Sequence, residues 1–361
     1  MSNSTLRNAF RKPNGWYAFK AMSSPTSVES DRRLPLSSVT PLYGLSTDAD
    51  QIDITDDVTI TRISEEQLHV LSADDVFLHH IRLYQPQHLL WKTVYLSSDQ
   101  VTSISEFCRA VGTDLQGGDA ENALAFSSFV FPVSSLLRAF HLFKPGRFVA
   151  GDTSFFARMR ETGCDTATLA RCSEMSIDFQ FVQQFSPRYQ FISAEVPAFL
   201  SFVHAFYSIW PTLQKYPQID LALHRYAKES AMYGEAVDLI ISLEALLVPE
   251  DEGIGYKLSQ RVANLLGPDA ASRKELFIRV RDSYSLRSKI VHGAKFKEKD
   301  FNAAQQLDWL REITRRVLLS VMALATDKGL GSEFYASLND MCFDDDLRQS
   351  IQAKASGLVH N

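Results

Sequence analysis

The sequence predicts an α+β protein, in which a mixed N-terminal domain of short strands and helices is followed by an all-helical bundle. Apolar residues alternate or form short runs rich in Val, Phe and Tyr as far as about residue 190. After that point they recur every three or four positions. The 361 residues also exceed the roughly 250–300 that one hydrophobic core usually holds. We therefore predict a flexible lead-in, a mixed α+β domain and a helical domain, over residues 1–45, 46–190 and 191–361.

Local patterns predict the N-terminal elements. The Ser-, Pro- and Thr-rich stretch from about residue 20 to 45 is typical of a loop. In the following QIDITDDVTITRI, an alternating apolar pattern interrupted at Asp56 and Asp57 predicts a strand, a turn and a second strand. Beyond residue 76 we expect further short strands such as LLWKTVYL and one helix, VSSLLRAFHLF, which ends before Lys144. The apolar residues of the alternating pattern in QIDITDDVTITRI are Ile52, Ile54, Val58 and Ile60.

The second half of the chain is predicted to be helical throughout, because its apolar residues form stripes at helical spacing. Stripes of this kind pack together as a helical bundle. The predicted helices span about 195–215, 219–229, 233–248, 255–266, 270–292, 302–327 and 332–355, and the last is broken at Asp344 to Asp346.

Composition and charge disfavour several classes of protein. With 45% hydrophobic and 22% charged residues the chain resembles an ordinary soluble globular protein. Its net charge of −6 disfavours a protein that coats nucleic acid through bulk electrostatics. The first residues lack the apolar core of a signal peptide, and no run approaches the roughly 20 continuous apolar residues of a membrane helix. We therefore expect a cytoplasmic protein with no membrane partner.

Neither a metal nor a cofactor is expected. The four cysteines are scattered without a CxxC pair, so we interpret them as reduced, structural thiols. The chain also lacks HExxH, GxxxxGK[ST] and a GxGxxG that follows a strand. Metal-dependent proteolysis and P-loop nucleotide hydrolysis are therefore disfavoured.

The end of one predicted helix carries the residues best suited to catalysis. Helix 270–292 ends in RDSYSLRSKIVHG, which places Arg287 and His292 five positions apart. Their directions differ by about 140°, yet the long guanidinium can reach round the helix end to the side of the imidazole. Gly293 is the expected left-handed terminator, and the partial negative charge of the helix end favours a protonated imidazole. The pattern predicts an acid beside an anion binder.

Neighbouring residues extend this candidate site. Ser288 lies four positions before His292 on the same helix face, and Tyr284 lies one turn further back, so both are predicted to orient the imidazole. Segment 271–300 holds nine basic residues against four acidic ones, an excess that attracts a phosphate backbone. The residues of this segment that we predict to bind this phosphate backbone are Lys289, Lys295 and Lys297.

The string SYSLRSKIVHG resembles the catalytic motif of HEPN domains, specifically of the Apea-like group, whose long helix ends in a similar Tyr-x-x-Arg-Ser-Lys-Ile-Val-His-Gly string. The segment Leu239–Gly267, LIISLEALLVPEDEGIGYKLSQRVANLLG, resembles two other helices of that group. This resemblance covers about residues 220–325. More weakly, QIDITDDVTITRISEEQL and LLRAFHLFKPG are similar to a domain that often precedes the helical domain in bacterial defence proteins.

The resemblance implies a metal-independent endoribonuclease with a role in anti-phage defence or as a toxin. The ribose 2′-hydroxyl attacks the adjacent phosphate and the 5′-oxygen leaves, while Arg287 stabilises the phosphoryl charge and His292 transfers the proton. Ser288 departs from the Asn, Asp or His common at this position in the wider superfamily. One copy of the motif supplies one Arg and one His, so two protomers are expected to form a composite cleft as a homodimer. The expected substrate is transfer RNA or another single-stranded or loop RNA.

Two alternatives stay open at this point. One is a non-catalytic HEPN module that binds RNA or a partner protein. The other is a sensor, whose N-terminal domain recognises a phage or host component and restrains the helical domain.

Other polar residues of the helical half are interpreted as structural. Glu244 and Arg261 lie within apolar helical stretches, where they are predicted to form a buried pair between two helices, since buried charges are normally paired. Arg225 and Asp238 receive the same interpretation. The predicted core aromatic residues of this half include Trp210 and Trp309.

Overall fold

The computed structural model of the chain confirms the α+β class and divides into a strand-rich and a helical unit. The strand-rich unit comprises Met1–Leu137 and Phe148–Ala194, and the helical unit comprises Arg138–Arg147 and Glu195–Asn361. The residues that the structure describes are 34–64, 88–96, 136–146, 148–151, 153–157, 167–172, 189–228, 232–293, 303–327 and 329–358.

The strand-rich unit is built on an antiparallel sheet with the order β3-β4-β5-β1-β7-β8, in which β6 also pairs with β1. Strands β2 and β9 form a separate parallel pair. The strands of the described residues are β1 (Leu34–Tyr43), β2 (Leu45–Thr47), β3 (Gln51–Thr55), β4 (Val58–Arg62), β5 (His88–Leu96), β6 (Val149–Ala150), β7 (Thr153–Ala157), β8 (Ala167–Cys172) and β9 (Tyr189–Phe191).

The predicted strand, turn and strand are confirmed by β3 and β4. Ile52 lies opposite Ile60 across this antiparallel pair, and Ile54 and Val58 are buried with them. The alternation therefore places all four apolar side chains on one covered face, as period-two patterning requires.

The prediction of a flexible lead-in up to residue 45 is wrong for its last part, because β1 runs through the middle of the sheet. Hydrogen bonding to β5 along nearly all of β1 stabilises this segment, and local composition gives no sign of it. Pro35 and Pro41 flank the stretch Leu36–Val39 that pairs with β7, so neither proline interrupts that pairing.

The helical unit follows the predicted order of helices closely, with ends that differ by a few residues. The predicted break in the last helix is confirmed, since the Asp344 carboxylate accepts a hydrogen bond from the Leu347 N–H and starts a new helix. The α-helices of the described residues from 195 onward are α1 (Val196–Leu213), α2 (Pro217–Ala227), α3 (Met232–Leu247), α4 (Ile254–Leu266), α5 (Ala270–Val291), α6 (Ala303–Asp327), α7 (Ser332–Asp340) and α8 (Asp345–Ala355).

A helical segment from the first half of the chain also belongs to the helical unit. The predicted helix that ends before Lys144 is present, and its described part covers residues 136–143. The Phe140 ring stacks on Phe199 of α1 at a centroid distance of 4.0 Å. The Arg315 guanidinium of α6 donates to the carbonyl of Leu142. The chain therefore enters the helical unit twice, which a division at a single point of the sequence does not represent.

The most apolar helix of the described residues belongs to this core. Ser193–Leu213 is the one segment of the described chain long and apolar enough to cross a membrane by length and composition alone. Its buried residues include Phe199, Phe202 and Phe206, which form a stripe at helical spacing. His204 and Ser208 lie on the exposed side. One face of this helix is therefore buried within the helical unit, while only 33% of its most apolar stretch is buried overall.

Two ion pairs join helices inside the bundle. The Arg311 Nε of α6 donates to Glu235 of α3 at 2.9 Å, and both side chains are almost completely buried. Arg225 of α2 pairs with Asp238 of α3 at 2.8 Å, which agrees with its structural interpretation. Because a buried charge needs a partner, each pair specifies how α3 lies against its neighbours.

Arg261 of α4 is a fully buried charged residue of the helical unit, with no exposed surface. Its guanidinium donates to both carboxylate oxygens of Glu250 at 2.9 and 2.6 Å and to the carbonyl of Leu247. Its Nε donates to Asn339 of α7 at 2.9 Å, and the guanidinium lies over the Tyr335 ring. One side chain thus connects the end of α3, α4 and α7.

We expect Arg261→Ala to lower the free energy of unfolding by about 3 kcal/mol or more, because it strands the Leu247 carbonyl and the Glu250 carboxylate and leaves a void. Urea denaturation measures this loss. Lys257→Ala is the matched control, since Lys257 lies 3.9 Å from the same carboxylate but is one-third exposed, and its loss should cost less than about 1 kcal/mol. Equal losses for the two variants would contradict the central role of Arg261.

Candidate functional site

The candidate site lies at the C-terminal end of α5. This helix begins at Ala270 and is capped by Asp269, whose carboxylate accepts a hydrogen bond from the Ser272 N–H at 2.8 Å. It ends at Val291, after which His292 closes the last turn and Gly293 has a φ of 65°. The prediction of a left-handed glycine at this position is therefore confirmed. His292 follows the helix directly and is exposed.

Arg287 lies on the side of α5 that faces α3. Its side chain is 24% exposed, and its Nη2 lies 3.6 Å from Oε2 of Glu244. That separation is an ion pair but exceeds hydrogen-bond length. The Nε of Arg287 is buried without a hydrogen-bond partner, and no described residue accepts a hydrogen bond from any nitrogen of this guanidinium. The arginine is thus held in place by electrostatic attraction to Glu244, while its N–H donors remain available to a ligand.

The predicted pair of Glu244 with Arg261 is wrong. Arg261 reaches past the end of α3 to Leu247 and to Glu250 in the following loop, whereas Glu244 lies one turn earlier and faces α5. Both residues do belong to ion pairs between elements, but the pairing partners depend on how α4 and α5 fold back on α3. Spacing along the sequence carries no information on that choice.

Glu244 is a perturbed carboxyl group. Burial raises its pKa above the ordinary value of a glutamate, and the charge of Arg287 opposes this effect in part. Ionised Glu244 therefore costs the folded protein some desolvation energy. A half-buried carboxyl with a raised pKa beside an arginine is a frequent feature of functional sites.

Tyr284 contributes to the site by packing. Its ring lies against Gly255 in the first turn of α4, where a Cβ added to Gly255 would approach Cδ1 of Tyr284 to 2.7 Å. Next to this contact, the rings of Tyr256 and Phe277 meet edge to face at 5.6 Å. These contacts, one in each half of α5, hold that helix against α4. Gly255 was not identified from the sequence as part of the site, although a glycine inside a helical pattern is a signal of close approach.

The structure does not join Tyr284 and Ser288 to the imidazole in the way that the sequence predicts. Within the part of the chain that the structure describes, neither hydroxyl makes a hydrogen bond to His292. Ser288 is half-exposed beside it, and its backbone carbonyl accepts the hydrogen bond of the His292 N–H. The exposed imidazole therefore owes its position to the helix end.

The basic residues around the site divide into paired and unpaired groups. Arg279 pairs with Glu275 and lies 3.9 Å above the Trp309 ring. Trp309 is therefore half-buried beneath an arginine, which corrects its assignment to the core, whereas Trp210 is buried as predicted. Lys289 is exposed and makes no ion pair with any described residue. The predicted RNA-binding residues Lys295 and Lys297 lie outside the described residues.

Other ligand-forming groups are sparse in the described chain. No group of three or more His, Cys, Asp or Glu side chains among the described residues is placed to hold a metal ion. Cys342 is a free and exposed thiol whose sulfur accepts a hydrogen bond from Asn264 at 2.9 Å.

Comparison of the chain with family models, curated proteins and solved structures finds no match. The fold and the site themselves define an α+β protein whose helical unit presents an arginine, paired to a half-buried carboxylate, shortly before an exposed histidine at a helix end.

Gly255→Ala tests the contact that seats α5 against α4. We expect a loss of about 1–3 kcal/mol in the free energy of unfolding, because the added methyl group overlaps a rigid ring. The penalty should shrink in a Tyr284→Leu background, where the ring is absent. Gly331→Ala is the control, since its Cβ would meet no atom within 4 Å. A penalty that persists without the ring would contradict this contact.

Proposed function

We propose that the protein is a metal-independent endoribonuclease of the HEPN type, which cleaves RNA by attack of the ribose 2′-hydroxyl on the adjacent phosphate. The observation that carries the proposal is the position of Arg287, five positions before the exposed His292. The guanidinium of Arg287 makes no hydrogen bond to any described residue. A planar guanidinium with free donors binds two phosphate oxygens at once. The imidazole of a histidine can supply or remove the transferred proton.

The RNA ligand is supported by the charge of this region within an acidic chain. Segment 271–300 has an excess of basic residues, and Lys289 follows Arg287 by two positions on an exposed part of the helix. Such a local excess attracts single-stranded or loop RNA, transfer RNA included, without the basic character that bulk nucleic-acid binding needs. We place this activity in the cytoplasm and suggest a role in anti-phage defence or as a toxin, on the resemblance of the helix-end motif.

A homodimer is part of the proposal. Of the 22 residues of α5 only Val280 and Ser283 are buried, and Ile278 and Val291 of α5 are exposed, as is Tyr256 of the adjacent α4. Exposed apolar side chains beside a functional motif are typical of an interaction surface. A two-fold axis here would bring two Arg and two His residues into one cleft.

A second candidate function is a HEPN module that binds RNA or a protein without cleaving it. The observation in its favour is the Glu244 carboxylate beside Arg287, since it neutralises the charge that would stabilise the phosphoryl group. The cleavage assays below separate the two functions.

We expect the purified protein to cleave single-stranded RNA in the presence of EDTA and to leave a 2′,3′-cyclic phosphate. Arg287→Ala and His292→Ala should each lower the cleavage rate by at least about a hundredfold, because each removes a group that acts on the transition state. The free energy of unfolding of each variant should differ from that of the original protein by no more than about 1 kcal/mol, since neither side chain is fully buried. Products with a 3′-hydroxyl end, or activity that needs added Mg²⁺, would exclude this mechanism.

The composite cleft makes a separate prediction. An equimolar mixture of Arg287→Ala and His292→Ala should regain part of the activity, because a mixed dimer holds one intact Arg and one intact His in the same cleft. Light scattering at micromolar concentration should give the mass of a dimer. A protein that is monomeric under the assay conditions and fully active would contradict the dimeric site.

A further inference from the structure

Glu244 is the group at this site that the proposed reaction leaves without a role. Its side chain is 18% exposed, and one carboxylate oxygen lies 3.6 Å from Nη2 of Arg287. Among the described residues, Arg287 is the charged group that acts on this carboxyl. The neighbouring helices α2, α4 and α6 carry arginines that are engaged elsewhere, as the pairs Arg225–Asp238, Arg261–Glu250 and Arg311–Glu235 show.

The contact between the two side chains neutralises charge without satisfying donors. A guanidinium has five N–H donors and pairs best with two oxygens in parallel at hydrogen-bond distance. Arg261 makes such a two-oxygen contact with Glu250 at 2.6 and 2.9 Å. The approach of Arg287 to Glu244 is 3.6 Å, between Nη2 and Oε2, and Arg287 makes no hydrogen bond to any described residue. The Arg261–Glu250 pair is therefore hydrogen-bonded through two oxygens, whereas the Arg287–Glu244 pair is an ion pair without a hydrogen bond.

We propose that Glu244 is the resident counter-ion of Arg287, and that a phosphate group of bound RNA displaces it from the guanidinium. Glu244 is then a positioning residue, which keeps the arginine in place in the free protein and sets how strongly the site binds phosphate. This inference rests on the proposed function for the identity of its ligand. It adds that the free site is held in a neutral state by a residue outside the Arg–His motif.

Displacement has an electrostatic consequence for Glu244. A phosphate on Arg287 brings negative charge next to a half-buried carboxylate, which disfavours its ionised form. Burial already raises the pKa of this carboxyl in the free protein, so proton uptake on binding is inexpensive. Phosphate binding is therefore expected to be coupled to proton uptake at Glu244, and a glutamine at this position imitates the protonated state.

The test is the affinity of a single-stranded 2′-O-methyl RNA oligomer, followed by fluorescence anisotropy. This probe keeps every phosphate but is not cleaved, because the attacking hydroxyl is methylated. We expect Glu244→Gln to bind it about two- to fivefold more tightly than the original protein, the range that corresponds to one partly exposed ion pair. In an Arg287→Ala background the same substitution should leave the affinity unchanged, since the residue through which it acts is gone.

Glu275→Gln is the control for net charge. It removes one negative charge from α5, where Glu275 is 68% exposed and pairs with Arg279 instead of Arg287, so it should change the affinity by clearly less than Glu244→Gln. Measurements between pH 5 and 8 add a second readout. Binding to the original protein should tighten as pH falls by more than binding to Glu244→Gln does, because only the original protein can take up a proton at residue 244. His292 is present in both proteins, so its contribution cancels in this comparison.

Several outcomes would overturn the proposal. If Glu244→Gln lowers the melting temperature and leaves the affinity unchanged, Glu244 is only structural. If it abolishes cleavage of unmodified RNA without tightening binding, Glu244 takes part in proton transfer instead. If Glu244→Gln fails to fold, Glu244→Asp is measured in its place. Its carboxylate is withdrawn from Arg287 by one methylene, so this variant should also bind the oligomer more tightly than the original protein, but with a smaller gain than that expected for Glu244→Gln.

Failure of the ribonuclease proposal is recognised separately. If the protein binds the oligomer in the way described but never cleaves unmodified RNA, the counter-ion proposal is supported and the ribonuclease proposal is refuted. If the oligomer does not bind, inorganic sulfate replaces it, with the rise in melting temperature as the signal. A rise that requires Arg287 and is larger in Glu244→Gln supports the counter-ion, whereas equal rises in all variants refute it.

Discussion

The helical unit depends on the complete burial of one charge, the guanidinium of Arg261. A charge without exposed surface is tolerated only when its donors are satisfied, and here the Glu250 carboxylate, the Leu247 carbonyl and the Asn339 side chain accept from it. This requirement determines where the chain turns after α3 and how α4 returns along it. Because α5 packs on α4 and α3, the position of the candidate site is a consequence of the same constraint.

The site itself combines a half-buried arginine with an exposed histidine. Packing of Tyr284 on Gly255 seats the C-terminal half of α5, and Glu244 holds Arg287 without using its hydrogen bonds. His292 is placed by the end of the helix, which Gly293 closes with a positive φ. The proposed cleavage by an internal hydroxyl requires an arginine that binds the phosphate and a group that transfers the proton, and in our proposal Glu244 sets the charge that an incoming phosphate meets.

The two halves of the protein differ in how well local patterns predict them. In the helical half, stripes at three- and four-residue spacing locate each helix to within a few residues, since the burial of one face is a property of the segment itself. In the strand-rich half, β3 and β4 are predicted from alternation, but β1 is not, because its strand conformation depends on pairing with β5, some 50 residues later in the chain. The residues 138–147 join the helical unit for a similar reason, through contacts with α1 and α6.

From the sequence by itself come the α+β class, the order of the helices, the Arg–His motif at a helix end and the glycine that terminates it, because each is a local consequence of spacing and residue type. The partners of the buried charges were decided by the tertiary structure alone. Glu244 and Arg261 are both recognisable as charges within apolar helices, yet only the return of α4 and α5 along α3 gives Arg261 to Glu250 and Glu244 to Arg287. Ion pairing acts over a few ångströms in space, and separation along the chain does not encode it.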